Sequence, residues 1–328
     1  MSPDADHQLV DVHAHFLTDE YVAAATGAGI SRPDGMPGWP DWSLDTHVAD
    51  MDRRDVGFAL LSISSPGVHF GDDDAAADLA RLVNDIASHH CRSHPQRLGF
   101  LASIPLPDVD AAVSEADRAL GLSGALGVIV ESNAHGQYLG DQALEPLWAA
   151  IEARDALVLI HPTSPPAADQ TGLGRPRPML EFMFDSTRSV ADLVLSGVLT
   201  RHPGLRVIVP HSGAVLPALH DRISLFLDGF AAPGPTGDDW RDAMGRLWFD
   251  TAGTPFPRAL RHLVEIVGER HILYGSDSCW TPSPLVDDHL VQMRTHTGPS
   301  GRSWVDVTAA NARRLLRNEA ERGLPPRL

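Results

Sequence analysis

The sequence predicts an α/β protein in which eight parallel strands form a closed barrel surrounded by helices. Short apolar segments rich in Val, Ile and Leu alternate with longer segments of helical periodicity, as in repeated strand–helix units. There are eight such apolar segments, and several are apolar almost throughout, as expected of strands buried on both faces. The length of 328 residues accommodates such a barrel, which routinely needs about 250 residues.

The eight predicted strands follow one another along the chain with helices between them. We place the strands at residues 9–12, 58–62, 98–103, 125–130, 157–160, 206–209, 247–250 and 272–274. Apolar residues at intervals of three and four predict helices at 78–90, 110–120, 144–154, 190–200 and 257–267.

Loops and domain boundaries follow from the Gly and Pro content. No linker or change of composition divides the chain, so we expect a single domain over residues 1–328. We expect three long loops rich in Gly and Pro, at about residues 18–46, 163–185 and 229–245. At least the first two are expected to cover the substrate at the carboxyl ends of the strands.

The composition, 43% hydrophobic and 21% charged, is that of a globular enzyme and excludes a disordered chain. Lys and Arg number 26 against 43 Asp and Glu, a net charge of −17, so nucleic acid and anionic membranes are not expected partners. Cys91 and Cys279 are too few for a disulfide framework or a thiolate zinc site. With no apolar run of about 18 residues and no signal-peptide pattern, we expect a cytoplasmic protein that does not enter a membrane.

Polar residues follow four of the predicted strands. The first strand runs into His13 and His15, whose side chains point to the same side of an extended chain. The fifth strand leads to His161, the sixth to His211 and the eighth to Asp277. Because the carboxyl ends of barrel strands meet at one mouth, we expect these side chains to surround a single metal ion.

The residue types indicate which metal the site would hold. Imidazoles and one carboxylate suit Zn²⁺, with Mn²⁺ as the alternative. We expect His13, His15, His161 and Asp277 as ligands. His211 is either a further ligand or, as we prefer, an acid or base beside the metal. Taken singly, each histidine could be a surface or core residue and Asp277 a helix cap, but their recurrence at four strand ends favours a common site. The remaining histidines lie mostly in polar contexts and are expected to be solvated.

Motifs spread over most of the chain support the same site. They are VDVHAHFL at 10–17, MD at 51–52 before Gly57, GQYLGD at 136–141, LEPLW at 144–148, HP at 161–162, HSG at 211–213, LP at 216–217 before DRI at 221–223, YGSD at 274–277 and NARRL at 311–315. From Val10 to about Leu316 this pattern resembles the amidohydrolase superfamily, in the branch of aminocarboxymuconate-semialdehyde, γ-resorcylate and 6-methylsalicylate decarboxylases. The 6-methylsalicylate group is the most similar at WPDWSL (39–44) and SISSPG (62–67).

The resemblance implies a distorted (β/α)8 TIM barrel of the metal-dependent amidohydrolase type, often dimeric, and we expect a homodimer. It also implies that His13, His15, His161 and Asp277 bind the metal and that His211 is an active-site histidine. Residues 45–52 hold no counterpart of the arginine with which the aminomuconate enzyme grips a second carboxylate, so a dicarboxylate substrate is not expected. Some resorcylate-type members have Glu-x-His where this chain has His-x-His, so their details are not transferred.

The leading hypothesis is a metal-dependent nonoxidative decarboxylase of a salicylate-type or related planar carboxylic acid. The metal would orient the carboxylate and an ortho hydroxyl, and Asp277 or His211 would manage the proton that replaces CO₂. Residues expected to contact the substrate are Trp39, Trp42, Ser65 and Trp280. The alternatives are hydrolysis of an ester, lactone or amide at the same site, and a binding or scaffold role without chemistry.

Overall fold

The computed structural model describes residues 8–230 and 234–320. Eight strands form one parallel sheet: β1 (Leu9–His15), β2 (Val56–Ser62), β3 (Leu98–Ser103), β4 (Ala125–Glu131), β7 (Leu157–His161), β8 (Arg206–Val209), β9 (Trp248–Asp250) and β10 (Ile272–Leu273). Between β4 and β7 lies an antiparallel hairpin of β5 (Asn133–Ala134) and β6 (Gln137–Tyr138). Each barrel strand pairs with the next in chain order, and bridges from Tyr274 to Asp11 and from Ser278 to Ala14 close the sheet. The predicted barrel is confirmed.

Helices cover the outside of the barrel. Their bounds are α1 (Asp19–Gly27), α2 (Leu44–Arg54), α3 (Asp73–Ser93), α4 (Val109–Ala119), α5 (Glu145–Ala153), α6 (Ala168–Thr171), α7 (Glu181–Leu195), α8 (Val198–Arg201), α9 (Leu216–Gly229), α10 (Gly237–Met244), α11 (Ala259–Val267), α12 (Ser283–Thr295) and α13 (Trp304–Ala320). Within the described residues, no helix combines the length and apolar character needed to cross a membrane.

The prediction of one continuous helix at 190–200 is wrong. The structure ends α7 at Leu195 and starts α8 at Val198, because Gly197 between them has a φ of 80° that interrupts a right-handed helix. The predicted long segments also contain helices. α1 lies in the first, α6 in the second and α10 in the third, whose residues 231–233 fall outside the described chain.

The barrel has an apolar layer inside its amino-terminal end. Inward-facing residues of the strands pack there with α13, which covers this end and contributes Ala312, Leu315 and Leu316. The guanidinium of Arg206, at the start of β8, donates a hydrogen bond to the carbonyl of Leu315 and ties α13 to the barrel. A second and larger core lies between the strands and the surrounding helices.

The first strand departs from simple alternation. Its pairing register with β2 shifts between Asp11 and Ala14, a bulge-like irregularity. The buried carboxylate of Asp11 accepts hydrogen bonds from the backbone N–H groups of His13 and Ser276, at 3.1 and 3.0 Å. As a result Val12 packs in the apolar layer while the next residue, His13, joins His15 at the barrel mouth.

Candidate metal centre

Four side chains from three strand ends converge at the carboxyl end of the barrel. One ligand atom from each of His13, His15, His161 and Asp277 lies within 4.8 Å of the others. Nε2 of His13 and Nε2 of His15 are 3.0 Å apart, and Oδ1 of Asp277 is 3.3 Å from the latter and 3.8 Å from the former. The three imidazoles are buried and Asp277 is 19% exposed.

These separations fit a divalent cation. With bonds of about 2.0–2.1 Å, neighbouring ligand atoms of a tetrahedral zinc ion lie about 3.3 Å apart. The pairs among His13, His15 and Asp277 are 3.0 to 3.8 Å apart, and the atom of His161 lies within 4.8 Å of each of them. Nitrogen and carboxylate donors without a thiolate are also the set expected for such an ion. The residues predicted as ligands are therefore placed where they would hold it.

The second nitrogen of each imidazole faces an acceptor. Nδ1 of His13 is 2.8 Å from Oδ2 of Asp250, and Nδ1 of His15 is 3.3 Å from the carbonyl oxygen of Ser62. Nδ1 of His161 is 3.5 Å from Oε2 of Glu131, and neither atom has another hydrogen-bond partner among the described residues. Such outer contacts fix the tautomer that leaves Nε2 free for a metal.

Sequence reasoning missed Asp250, although it ends the seventh predicted strand as the chosen residues end or follow theirs. Besides His13, its carboxylate accepts hydrogen bonds from the backbone N–H groups of His211 and Ala252, each at 2.9 Å. Asp250 therefore links a predicted ligand to the loop that carries His211. Asp250 could have been found from its position, since it is a lone carboxylate at the carboxyl end of an apolar strand.

Burial and charge act against each other in this site. Burial opposes protonation of His13, but Asp250 and Asp277 outweigh it and raise the pKa of His13 to about 9. Burial, together with the neighbouring His15 and His13, lowers the pKa of His161 well below its usual range. Burial opposes ionisation of Asp277, but hydrogen bonds with His15 and His211 hold its pKa well below the ordinary value. The site thus favours an ionised Asp277 and the binding of a cation.

His211 lies beside the four converging residues on a strained turn. Its Nε2 is 3.5 Å from Oδ2 of Asp277, the oxygen that does not face His15. His211, Ser212, Gly213 and Ala214 all have φ between 53° and 76°, a conformation that is costly for side-chain-bearing residues and is often found at functional sites. The contacts of Asp250 with His211 and of Thr187 with Val215 hold this turn.

A cavity of about 600 Å³, hereafter the metal cavity, opens over the four predicted ligands. Of the residues predicted to contact a substrate, Ser65 and Trp280 line it. Nε1 of Trp280 is buried and has no hydrogen-bond partner among the described residues. Trp39 stands behind Trp280, with ring centroids 5.8 Å apart.

Trp42 is not on this cavity. Its ring packs near Phe16, His47 and His90, and it lines a separate cavity of about 240 Å³. The structure therefore does not bring Trp42 to the metal cavity but packs it against the core between strands and helices.

The expectation of solvated histidines is wrong at four positions. His47, His202, His220 and His289 are between 5% and 8% exposed. His289 even lines the metal cavity from α12, and its Nε2 has no hydrogen-bond partner among the described residues. Polar neighbours in sequence gave no sign of this burial, which arises from tertiary packing.

The cavity contains acids and histidines but no fixed cation. The chain has no lysine, and no arginine is among the described residues that line the cavity. Its acidic residues are Asp34, Asp277 and Asp288, and its apolar wall includes the residues Met36, Met179, Phe182, Met183, Phe256, Trp280 and Leu285.

Comparison with known proteins places this site in a family. The model of a family described as amidohydrolase matches residues 10–324. The chain belongs to the amidohydrolase family. It is 34% identical over 277 residues to 6-methylsalicylic acid decarboxylase of Penicillium expansum, covering 82% of this chain and 84% of that protein. It is 32% identical over 302 residues to the decarboxylase yanB of Aspergillus niger, covering 87% and 80%.

Solved structures agree with this assignment. The crystal structure of a protein described as amidohydrolase II has a TM-score of 0.86 at 32% identity and covers 94% of this chain and 100% of its own. The 2,6-dihydroxybenzoate decarboxylase complexed with 2,6-dihydroxybenzoate has a TM-score of 0.80 at 23% identity, covers 95% of this chain and 99% of its own, and supports the fold. The predicted family and the predicted class of activity, decarboxylation of an aromatic acid, are confirmed by these relatives.

Proposed function

We propose that this amidohydrolase-family protein is a metal-dependent carboxy-lyase that removes CO₂, without oxidation, from a hydroxylated aromatic acid of the salicylate type. The observation that carries the proposal is the convergence of His13, His15, His161 and Asp277 beneath a cavity of about 600 Å³, which His161 and Asp277 line and which has no lysine or arginine among its described lining residues. Because no arginine or lysine is there to balance a bound carboxylate, we infer that a divalent ion held by these four residues supplies the positive charge.

When bound, such an ion would act as a Lewis acid that orients the carboxylate and an adjacent hydroxyl of the substrate. Proton transfer is carried out by side chains of the protein. A proton must be added to the ring carbon that bears the carboxylate before the C–C bond breaks and CO₂ leaves, so the site needs one proton carrier near that carbon. His211 and Asp277 form the pair suited to this task, since Nε2 of the first lies 3.5 Å from Oδ2 of the second.

We assign the two residues different parts of the proton transfer. Asp277 is held ionised by His15 and His211, so it does not store the proton in the resting site. We infer that Nε2 of His211 holds the proton and that Oδ2 of Asp277 orients it toward the ring carbon or relays it. The strained turn that carries His211 fixes the direction of this imidazole.

The cavity walls fit a flat, mostly uncharged ring. Phe182, Phe256 and Trp280 offer aromatic surface. The unpartnered Nε1 of Trp280 is a hydrogen-bond donor for a substrate oxygen. We infer that Ser65, whose hydroxyl proton is directed to Asp34, contacts the substrate by packing. We further propose that segments 18–46 and 163–185 cover the substrate, since Asp34 and Met36 of the first and Met179 and Phe182 of the second line the cavity.

We also propose the identity of the metal, the cellular compartment and the oligomeric state. The donor set of three imidazoles and one carboxylate favours Zn²⁺, with Mn²⁺ as the alternative. The chain has only two cysteines, and this low cysteine content is consistent with the cytoplasm. A homodimer is consistent with the exposed apolar side chains of Leu225, Phe226 and Phe230 at the end of α9.

The test is a screen of small aromatic acids against protein reconstituted with Zn²⁺ or Mn²⁺, in which CO₂ and the ring product are both measured. We expect stoichiometric CO₂ and the corresponding phenol from at least one 2-hydroxybenzoate, with no turnover after chelation of the metal. Cleavage of an ester, lactone or amide into acid and alcohol or amine, without CO₂ from any acid, would instead establish a hydrolase.

A further inference from the structure

A second cavity lies beside the metal cavity at the same end of the barrel. Its volume is about 280 Å³, and it lies over the ends of β2, β3 and β4. Aliphatic residues such as Ile63, Val68, Ile104 and Ile129 form much of its wall, with the carboxyl group of Glu131 among them. No described residue lines both cavities. A partition of side chains therefore separates them.

Asp34 forms the centre of this partition. Its Oδ2 accepts a hydrogen bond from the hydroxyl of Ser65 at 2.7 Å, and its Oδ1 accepts one from the hydroxyl of Ser164 at 2.5 Å. Since the proton of Ser65 is directed to Asp34, the hydroxyl of Thr163, 2.7 Å away, donates to Ser65. Asp34 and Ser65 line the metal cavity, whereas Thr163 and Ser164 line the second one.

The backbone around Asp34 is built to hold this side chain in place. Asp34 has a φ of 51°, and Gly35 follows at 76°. A Cβ atom at Gly35 would lie 2.6 Å from Nη1 of Arg177, which would have to shift, and the φ of 76° itself favours glycine at this position. Asp34 itself is mostly buried, and burial raises its pKa despite the two serine hydrogen bonds. A carboxyl group with these surroundings is a fixed wall rather than a mobile surface side chain.

We propose that Asp34 is a specificity-determining residue that, by bridging Ser65 and Ser164, closes the metal cavity toward the second cavity and limits the size of the ring substituent that a substrate can carry on that side. This inference rests on the proposed function, because it takes the metal cavity as the substrate site. Removal of the side chain would join a space of about 280 Å³ to one of about 600 Å³.

The experiment compares two substitutions that suit a positive φ. Asp34→Gly removes the partition, and glycine tolerates the φ of 51°. Asp34→Asn keeps the size of the side chain and is the matched control. The probes are 2-hydroxybenzoates with methyl to butyl groups at each ring position, and their binding to metal-loaded protein is measured by calorimetry alongside CO₂ release.

In Asp34→Gly, we expect the affinity to rise about fourfold per added methylene at one ring position, the value for burial of a methylene group. The parent and Asp34→Asn should show no such rise at that position. Filling the second cavity with Ile104→Phe in the Asp34→Gly background should abolish the gain. The same dependence on chain length in all three proteins, or a gain that survives Ile104→Phe, would overturn the proposal.

A second variant and the separate measurement of binding and turnover allow the proposal to be tested in every case. If Asp34→Gly does not fold, Ser164→Ala leaves residue 34 unchanged but frees its Oδ1, and it must give a smaller gain at the same ring position. Equal profiles for Ser164→Ala and the parent would then count against the partition. Because binding is measured without turnover, a parent that releases no CO₂ contradicts the proposed function while the binding series still tests Asp34.

Discussion

The two ends of the barrel interior are built from the same strands but from opposite kinds of side chain. At the amino-terminal end, here the lower end, residues such as Val10, Phe58 and Leu273 pack against Leu315 of α13 in an apolar layer. At the carboxyl end, here the upper end, the same sheet presents His13, His15 and other buried polar groups beneath a cavity that His161 and Asp277 line. The change occurs within one residue of β1, between Val12 and His13.

This difference indicates that the lower end contributes mainly to the stability of the fold and the upper end mainly to metal binding and catalysis. Burial of apolar groups at the lower end is favourable by about 25 cal/mol per Å². Burial of imidazoles and carboxylates at the upper end costs free energy unless each is paired or bound to a cation. Substitutions at the lower end should therefore change stability, and those at the upper end should change chemistry and metal affinity.

The largest effect is expected for Asp277→Asn. This substitution keeps the size of the side chain but removes both a charged ligand and a member of the proton-transfer pair. Since a positioned acid or base alone contributes about 10²- to 10⁴-fold, we expect kcat/KM to fall by at least about 10³-fold with the fold retained. CO₂ release and circular dichroism measure the two quantities. Appreciable residual turnover would remove Asp277 from proton transfer.

The opposite result is expected for Leu315→Ala at the lower end. Leu315 is 2% exposed, and truncation of a buried leucine costs about 2–5 kcal/mol of unfolding free energy. We expect turnover per folded, metal-loaded molecule to remain at the parental value. Urea unfolding tests the first part, with Leu82→Ala on α3 as the control, since Leu82 is 40% exposed. A large loss of kcat in the folded variant would contradict the separation of the two ends.

Asp250→Asn tests whether the contact between Asp250 and His13 supports metal binding at the upper end. Asn can still accept from the backbone of His211 through Oδ1, but its Nδ2 cannot accept from Nδ1 of His13. We expect metal affinity to fall by about 10- to 100-fold. Glu131→Gln is the comparison, and a smaller loss is expected because its contact with His161 is 3.5 Å rather than 2.8 Å. Competition with a chromogenic chelator measures both. Equal affinities of parent and Asp250→Asn would rule out this supporting role.

The smallest effect concerns a buried histidine outside the metal centre. Burial lowers the pKa of His47 to about 4, so between about pH 6.5 and 4 the unfolded chain binds a proton that the folded chain does not. Stability should fall as the pH is lowered through this window, by about 1.4 kcal/mol per pH unit for one proton. His47→Gln should reduce the slope of unfolding free energy against pH by up to this amount. An unchanged slope would show that His47 does not contribute.

The strands and the converging residues were predictable because they depend on local patterns. Strands buried on both faces are apolar throughout, and a polar residue at the end of such a run, such as His161, is visible without any tertiary information. α3 and α4 were recovered in the same way, from their apolar stripes.

Features that depend on packing between distant segments could not be predicted. Asp34 obtains its partners from residues 31 and 130 positions away. Trp42 obtains its ring contacts from Phe16 and from His90 of α3, which are distant from it in the sequence. His289 is buried only because α12 packs on the barrel beside Tyr274. Local sequence contains no signal for these contacts.

A crystal of the protein soaked with Mn²⁺ or Zn²⁺, with anomalous scattering recorded at the metal edge, tests the metal centre most directly. We predict one peak per chain, bonded to Nε2 of His13, Nε2 of His15, a ring nitrogen of His161 and a carboxylate oxygen of Asp277, at about 2.0–2.2 Å. Absence of a peak among these side chains, or a single peak elsewhere, would contradict the site and the chemistry assigned to it.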